Sequence, residues 1–225
     1  MSTRALSVSL PSEVIYVSGT VNGTAYTWTR MDDAWQATVE RAADERYRVS
    51  LTAVNSLGTS ASYDLTLYYG LQGLITDRTA ADVRRVKALA AKGWAGMTAA
   101  ERTEWLGEMR GAYNASDLNR VGSAVDYVAK RLRSCGISVS VTPRMDWQET
   151  DIPTRAEMAA YLADIAALRA ALPLRDGTPP APGDMLGLSW EEANAIESIL
   201  LAVDETVTRM SQAWFFSGDL YAGEV

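Results

Sequence analysis

The sequence predicts a chain of mixed β and α class, in which a small N-terminal β-sandwich precedes a predominantly α-helical body of about five helices. Two patterns support this prediction. Residues 46–53 alternate between polar and apolar, so one face of a strand points inward. Beyond Gly70, apolar residues recur every three or four positions, as they do from Leu118 onward, which is typical of helices. We assign residues 1–70 to a β domain, 71–76 to a short linker and 77–225 to an α-helical domain.

The β domain contains five or six strand candidates joined by short turns. The first two flank Asn22-Gly23, a dipeptide that accepts the positive φ angles of a type I′ hairpin turn. Short strands, frequent turns and one tryptophan-bearing face favour a small sandwich. The clearest candidates cover residues 14–21, 24–30, 35–39, 47–53 and 61–69.

The helical domain contains five helix starts, each marked by a residue that can cap the N-terminus. We expect the first helix to begin at Asp77 or Thr79 and the third at Asn114 or Ser116. The other starts are capping boxes, in which Ser or Thr is followed three residues later by Glu: Thr98 with Glu101, Thr154 with Glu157, and Ser189 with Glu192. Residues 137–142 alternate briefly, which predicts an extended segment or one strand of a small hairpin.

The composition excludes several kinds of chemistry. The chain has no histidine, which removes the usual general base and the commonest metal ligand. Cys135 is the only cysteine, so neither an internal disulfide nor a thiolate zinc cluster can form. We therefore expect no cofactor and no bound metal. No apolar run reaches the ~20 residues that span a bilayer, and no secretory signal is visible, so we expect no membrane partner.

The charge is unevenly distributed along the chain. The net charge is −2 in residues 1–70, +5 in residues 71–145 and −10 in residues 146–225. The acidic C-terminal third should repel nucleic acid, so no nucleic-acid partner is expected. The two oppositely charged segments can face each other within one helical body or join neighbouring subunits.

Asp146 and Asp151 lie beside Trp147 in the densest acidic stretch near an aromatic residue. Paired carboxylates can hydrolyse glycosides without histidine, so a histidine-free glycosidase is one hypothesis. The other interpretation is a loop, in which these carboxylates accept backbone N–H groups ahead of the next helix.

Two groups of aromatic residues are candidate contact surfaces. A C-terminal group follows a strongly periodic helix and should dock on its own domain or on a neighbouring subunit; it consists of Trp214, Phe215, Phe216 and Tyr221. In the β domain, Trp28 and Trp35 either pack in the core or form a surface on which sugars stack. The second interpretation requires at least one of them to be exposed.

The run 47–58, with the sequence YRVSLTAVNSLG, resembles the last hairpin of immunoglobulin-like and fibronectin-like bacterial modules. In those modules an aromatic residue opens a strand that ends in A-x-N-x-x-G. Tyr47 is similar in placement to their tyrosine-corner residue. The resemblance implies an immunoglobulin-like sandwich, although the cysteine pair of true immunoglobulin domains is missing. A domain this short leaves room for one or two strands to be absent or supplied by a neighbour.

The helical domain carries an ordered set of motifs: GAYNASDLNRV at 111–121, Asp146-Trp147, DIPT at 151–154 and MAAYL at 158–162. This set resembles proteins encoded among the tail and baseplate genes of phages and prophages of gut Firmicutes. The resemblance implies a structural role in the virion and transfers no catalytic residue. From the residues themselves, we expect Asp117, Asn119 and Arg120 to hydrogen-bond the loop at Asp146 and Trp147 and so fix how the helices pack.

The sequence thus predicts a non-enzymatic structural or assembly protein of a phage or prophage tail or baseplate, with its β domain presented for partner or surface binding. It is expected in the virion after synthesis in the bacterial cytoplasm. Its expected partners are other virion proteins, further copies of itself and, for the exposed face, cell-surface carbohydrate. One alternative is a carbohydrate-binding or cell-surface-binding adhesin that uses Trp28 and Trp35. The other is the glycosidase that uses Asp146 and Asp151.

Overall fold

A computed structural model describes residues 3–42, 45–107 and 109–218, with side chains up to residue 211. Within these ranges the chain forms seven strands and five helices, so the predicted mixed β and α class is confirmed. The strands are β1 (Thr3–Val8), β2 (Val14–Val21), β3 (Thr24–Thr27), β4 (Thr29–Met31), β5 (Ala34–Glu40), β6 (Arg46–Asn55) and β7 (Ser60–Tyr68). The helices are α1 (Ala80–Gly96), α2 (Ala99–Leu106), α3 (Ala115–Ser134), α4 (Arg155–Ala170) and α5 (Trp190–Gly218).

The strands form two antiparallel sheets whose buried side chains share one hydrophobic cluster. One sheet has the order β1-β5-β4 and the other has the order β3-β2-β6-β7. The alternation in β6 turns Tyr47, Val49 and Leu51 into this cluster, where they meet Leu6 and Val39 of the other sheet. The two-residue period of the sequence therefore identifies the core face of the strands.

Two features of the sheets differ from the sequence prediction. Residues 24–30 were predicted as one strand, but β3 pairs with β2 in one sheet and β4 pairs with β5 in the other. The buried Trp28 stands between the two strands. Residues 24–31 contain no Gly, Pro, Asn or Asp, so the sequence carries no turn signal where the chain changes sheets. The strand β1 was not predicted at all.

The helix starts follow the predicted capping residues. Thr79 caps α1, Thr98 caps α2 and Thr154 caps α4. Each threonine side chain accepts the N–H of the third helical residue, and each threonine N–H donates in return to the carboxylate of that residue. Asn114 caps α3, because its Oδ1 atom accepts the N–H of Ser116 at 3.0 Å. Residues 137–149 form neither helix nor strand, so the strand alternative for 137–142 is wrong.

The described residues divide into two compact units. The first comprises residues 1–73, 113–123 and 144–152, and the second comprises 74–112, 124–143 and 153–225. The first nine helical residues of α3, 115–123, thus belong with the strands, while its remainder belongs with the other helices. The prediction of one boundary near Gly70 did not anticipate the two segments that rejoin the first unit.

Buried apolar residues of the second unit come mainly from the second half of α3 and from α4 and α5. They include Val125, Val128, Leu132, Ile165, Leu168, Ile196, Leu200 and Val203. Their three- and four-residue spacing places them on one stripe of each helix. Among the described helices, none is both long enough and apolar enough to cross a membrane.

Candidate functional site

The first half of α3 holds the backbone of the loop at residues 144–152 through Asn119. The Nδ2 group of Asn119 donates to the carbonyl oxygen of Trp147 at 2.8 Å, and the N–H of Trp147 donates to Oδ1 of Asn119 at 2.7 Å. Asn119 is fully buried and Trp147 is nearly so. One amide side chain thus satisfies both backbone groups of Trp147. This is the contact between helix start and loop that the sequence predicted for Asn119.

The other predicted residues of the helix start, Asp117 and Arg120, form a buried ion pair one turn apart. Asp117 also accepts the N–H of Asn114 at 3.0 Å, while its own N–H donates to Oδ1 of Asn114 at 3.4 Å. The guanidinium carbon of Arg120 lies 5.7 Å from the ring centroid of Tyr68 in β7. These contacts fix the first turn of α3 and place it beside the last strand.

Arg144 binds both acidic residues that motivated the glycosidase hypothesis. Its guanidinium donates to Asp146 at 3.2 Å and also to Asp151. Asp146 accepts the N–H of Ser9 at 3.3 Å, and Asp151 accepts the N–H of Gln148 at 3.1 Å. Both carboxylates therefore act as acceptors for groups of the protein itself. This geometry favours the loop interpretation over a pair of catalytic acids.

Gly122 allows the loop to lie directly against α3. A Cβ atom at this position would stand 2.3 Å from the carbonyl oxygen of Arg144, far inside van der Waals contact. The guanidinium carbon of Arg144 lies 3.9 Å from the ring centroid of Trp147. A cation over an aromatic face at this distance is attracted by the ring quadrupole. The close backbone approach at Gly122 and the Asn119 hydrogen bonds thus hold the same loop.

A second network in the first unit is centred on Glu45, which is buried and has a positive φ of 49°. Its carboxylate accepts from Arg4 at 2.9 Å, from the hydroxyl of Tyr47 at 3.1 Å and from Arg41. Burial alone would raise the pKa of Glu45, but these three donors outweigh it and hold the pKa below its ordinary value. The Tyr47 hydroxyl also accepts the N–H of Ala42 at 3.1 Å. Tyr47 therefore ties the start of β6 to the preceding segment, as a tyrosine corner does.

Sequence reasoning missed a polar cluster in the second unit. Asn194 of α5 accepts the N–H of Arg78 at 3.0 Å and donates to the carbonyl oxygen of Arg78 at 2.9 Å. The Arg78 guanidinium donates to the fully buried Glu197 at 2.7 Å. A glutamate between Ile196 and Ile199, inside an apolar stripe, is the sequence signal for such a buried ion pair.

Asp164 on α4 is another buried carboxylate of the second unit. Both of its oxygens lie 3.2 Å from the N–H of Thr142, which donates to them. Burial raises the pKa of Asp164, and the Thr142 hydrogen bond only partly opposes that effect. In contrast to Glu45, the charged form of Asp164 is less stable in the folded protein than it would be in water.

The candidate surface-binding aromatics of the β domain are core residues, so that prediction is wrong. Trp28 is 5% exposed and Trp35 is 7% exposed, and both belong to the hydrophobic cluster between the sheets. A sugar-stacking surface needs an open ring face, which neither side chain offers. The C-terminal candidates Trp214, Phe215, Phe216 and Tyr221 lie outside the residues whose side chains the structure describes.

Large apolar side chains are exposed elsewhere, and the sequence analysis did not single them out. In the first unit they include Tyr16, which is 58% exposed, and Leu57, which is 87% exposed. The pairing of β2 with β6 shifts register between Val14 and Tyr16, and Ile15 and Tyr16 are both exposed there. In the second unit, Trp94, Trp105 and Leu106 of α1 and α2 are exposed. Contiguous exposed apolar groups are typical of contact surfaces, and Ile15 and Tyr16 are adjacent in the chain.

Among the residues that the structure describes, no group of three or more Cys, Asp or Glu side chains is placed to hold a metal ion. The polar clusters above are built from ion pairs and from side chains that bind backbone groups. In three of these clusters, a side chain on α3, α4 or α5 binds backbone groups of a segment outside that helix and so holds the segment against it. No protein-family model matches the chain, and neither a curated protein nor a solved structure matches it.

Proposed function

We propose that this chain is a non-enzymatic structural or assembly protein of a phage or prophage tail or baseplate, located in the virion. Its partners are other virion proteins and further copies of itself. The virion setting rests on the resemblance of the motifs in residues 111–162 to proteins of phage tails and baseplates. In finer detail, we propose that the two sheets form an immunoglobulin-like sandwich, presented for partner or surface binding, and that the helices form the anchoring body.

One observation carries the assembly role. The first unit exposes large apolar side chains, Ile15 and Tyr16 on β2 and Leu57 in the turn between β6 and β7. Leaving such groups in water is unfavourable by ~25 cal/mol for each Å² of apolar surface, so a partner that covers them gains affinity. The oppositely charged segments of the chain would then set orientation between partners.

The residues that motivated the two alternative functions have other contacts in the structure. The adhesin hypothesis used Trp28 and Trp35, which are buried. The glycosidase hypothesis used Asp146 and Asp151, which share Arg144. We therefore propose assembly in preference to either.

The test is to purify particles of a phage, or of an induced prophage, whose genome encodes this chain. We expect peptides of the chain to co-migrate with tail proteins in a density gradient, as detected by mass spectrometry. Deletion of the gene should give particles with defective tails or defective adsorption. The proposal fails if the purified particles lack the chain and the deletion strain produces normal, infective particles.

A further inference from the structure

β7 is the longest of the edge strands among the described residues. The four edge strands of the two sheets are β1, β4, β3 and β7. β3 has four residues, β4 has three and β1 has six, whereas β7 has nine. β7 pairs with β6 over its whole length without a shift of register, and it contains no Lys, Arg or Pro. Proteins usually protect an edge strand with β-bulges, charged side chains or proline, and β7 lacks a bulge, a basic residue and a proline.

The register shows which backbone groups of β7 point outward. The N–H of Asn55 donates to the carbonyl oxygen of Thr59 at 3.0 Å, and these residues continue the β6–β7 register. In an antiparallel pair such hydrogen-bonded positions alternate, so Ala61, Tyr63 and Leu65 direct their backbone groups toward β6. Ser60, Ser62 and Asp64 therefore direct their N–H and C=O groups to the open edge.

Burial limits the usable part of this edge to residues 60–64. Among the residues whose backbone groups face the open edge, Ser60, Ser62 and Asp64 are exposed, whereas Thr66 is half-buried and Tyr68 is buried. An antiparallel strand that pairs with residues 60–64 must be centred opposite Ser62.

We propose that β7 pairs with β7 of a second copy of this chain, antiparallel, about a two-fold axis at Ser62. This inference rests on the proposed assembly role and names its surface and partner. Ser62 then exchanges backbone hydrogen bonds with Ser62 of the second copy, and Ser60 does so with Asp64 of the second copy. The two four-stranded sheets become one continuous sheet.

The side chains of residues 60–64 suit this register. The only charged residue, Asp64, lies opposite a serine and not opposite itself, so no like charges meet. On the other face, Tyr63 of one copy lies opposite Ala61 of the other. Tyr63 already packs partly against the hydrophobic cluster, while Ala61 is exposed, so the tyrosine of the second copy extends the apolar face over it.

Two lysine substitutions test the register because they predict opposite effects. Ser62→Lys places two lysines directly opposite each other, and the dimer should weaken by roughly two- to fivefold in Kd. Ser60→Lys places each lysine opposite Asp64 of the other copy, so the dimer should tighten, by a larger factor because two such pairs form. The tightening should diminish in high salt. Sedimentation equilibrium of the full chain over a range of concentrations measures both changes.

Ser62→Pro gives a third measurement. It removes the outward N–H of Ser62 without removing a hydrogen bond to β6, and proline is tolerated on strand edges at such positions. The dimer should weaken roughly tenfold or more, because the hydrogen bond is lost on both sides of the axis. Circular dichroism checks that the Ser62→Pro variant is folded. If this variant does not fold, the two lysine variants, which are at exposed positions, provide the test of strand pairing.

The inference is overturned if the chain is monomeric at all concentrations, or if the two lysine variants change the Kd in the same direction. Neither result would remove the chain from purified particles, so the proposed virion role would stand. Conversely, absence from particles together with opposite lysine effects would overturn the virion role and retain the strand pairing.

Discussion

Asn119→Ala is the most direct test of how α3 holds the loop at residues 144–152. The substitution removes the hydrogen bonds of 2.8 and 2.7 Å that satisfy the carbonyl and the N–H of Trp147. Each buried backbone group left without a partner costs about 1–3 kcal/mol. Alanine has a higher helix propensity than asparagine, and this difference stabilises the variant by about 0.5 kcal/mol. We therefore expect a net loss of about 1.5–5.5 kcal/mol in the stability of the first unit.

The assay combines urea unfolding with hydrogen exchange measured by mass spectrometry. Because the chain has two units, the exchange data are needed to say which segment opens. Asn119→Ala should increase exchange in residues 144–152. Asn194→Ala, which removes the equivalent pair of bonds to Arg78, should instead increase exchange around Arg78 in the second unit. Gln148→Ala, which truncates an amide of the same loop, should change stability by less than about 0.5 kcal/mol.

A refinement uses pH. Asn119→Asp keeps the acceptor for the Trp147 N–H but places a charged oxygen beside the Trp147 carbonyl, where Nδ2 now donates. Protonation restores a donor, so this variant should recover part of its stability in acid. The reasoning is refuted if Asn119→Ala destabilises no more than Gln148→Ala, or if exchange in residues 144–152 is unchanged.

Three further predictions follow from other contacts. Gly122→Ala should destabilise the first unit by about 1–3 kcal/mol, despite alanine's better helix propensity, since the new methyl group meets the Arg144 carbonyl oxygen. Glu45 has a lowered pKa in the folded state, so its stabilising effect is present above its unfolded pKa and is lost as the pH falls through the lowered folded-state pKa. Glu45→Gln should therefore cost most stability near neutral pH, and this cost should shrink progressively as the pH falls below ~4. Asp164 has a raised pKa, so its effect has the opposite sign: the wild type should lose stability relative to Asp164→Asn as the pH rises toward neutral.

Controls for these predictions are available in the same chain. Gly183→Ala, at an exposed glycine with no atom within 4 Å of the new methyl group, should leave unfolding unchanged. Equal effects of the Gly122 and Gly183 substitutions would contradict the packing argument. Denaturant unfolding between pH 3 and pH ~7.5 measures the two carboxylates. A pH-independent difference between wild type and either carboxylate variant would show that its charge does not carry the effect.

The sequence predicted the local features of this fold because local chemistry determines them. Thr79, Thr98 and Thr154 cap helices through bonds to residues three positions away, so the signal lies within one short window. The alternation from Tyr47 to Ala53 likewise identifies a buried face without knowledge of its partner. The Asn119 contact was predictable in part, because an asparagine at a helix start is a common hydrogen-bond partner of nearby backbone groups.

Features that depend on distant residues were not predictable. The passage of the chain between sheets at Trp28 is decided by pairing with β2 and β5, and no turn residue marks it in the sequence. The burial of Trp28 and Trp35 depends on distant residues of the shared hydrophobic cluster, so their residue types alone did not decide between core and surface. Arg144 could not be identified as the partner of both Asp146 and Asp151, because many arginines were available and spacing selects none.

The discontinuity of the first unit has a consequence for synthesis on the ribosome. Its strands end at Tyr68, but its last segment ends at Ile152, after α1, α2 and α3 have all been made. Translation proceeds at roughly 5–20 residues per second. Several seconds therefore pass between the synthesis of the last strand and the synthesis of Asn119 and then of Trp147. During that interval Tyr68 lacks Arg120 beside its ring, and the open edge of β7 is accessible to other nascent chains. A gene fragment that stops near residue 73 would make this transient state permanent.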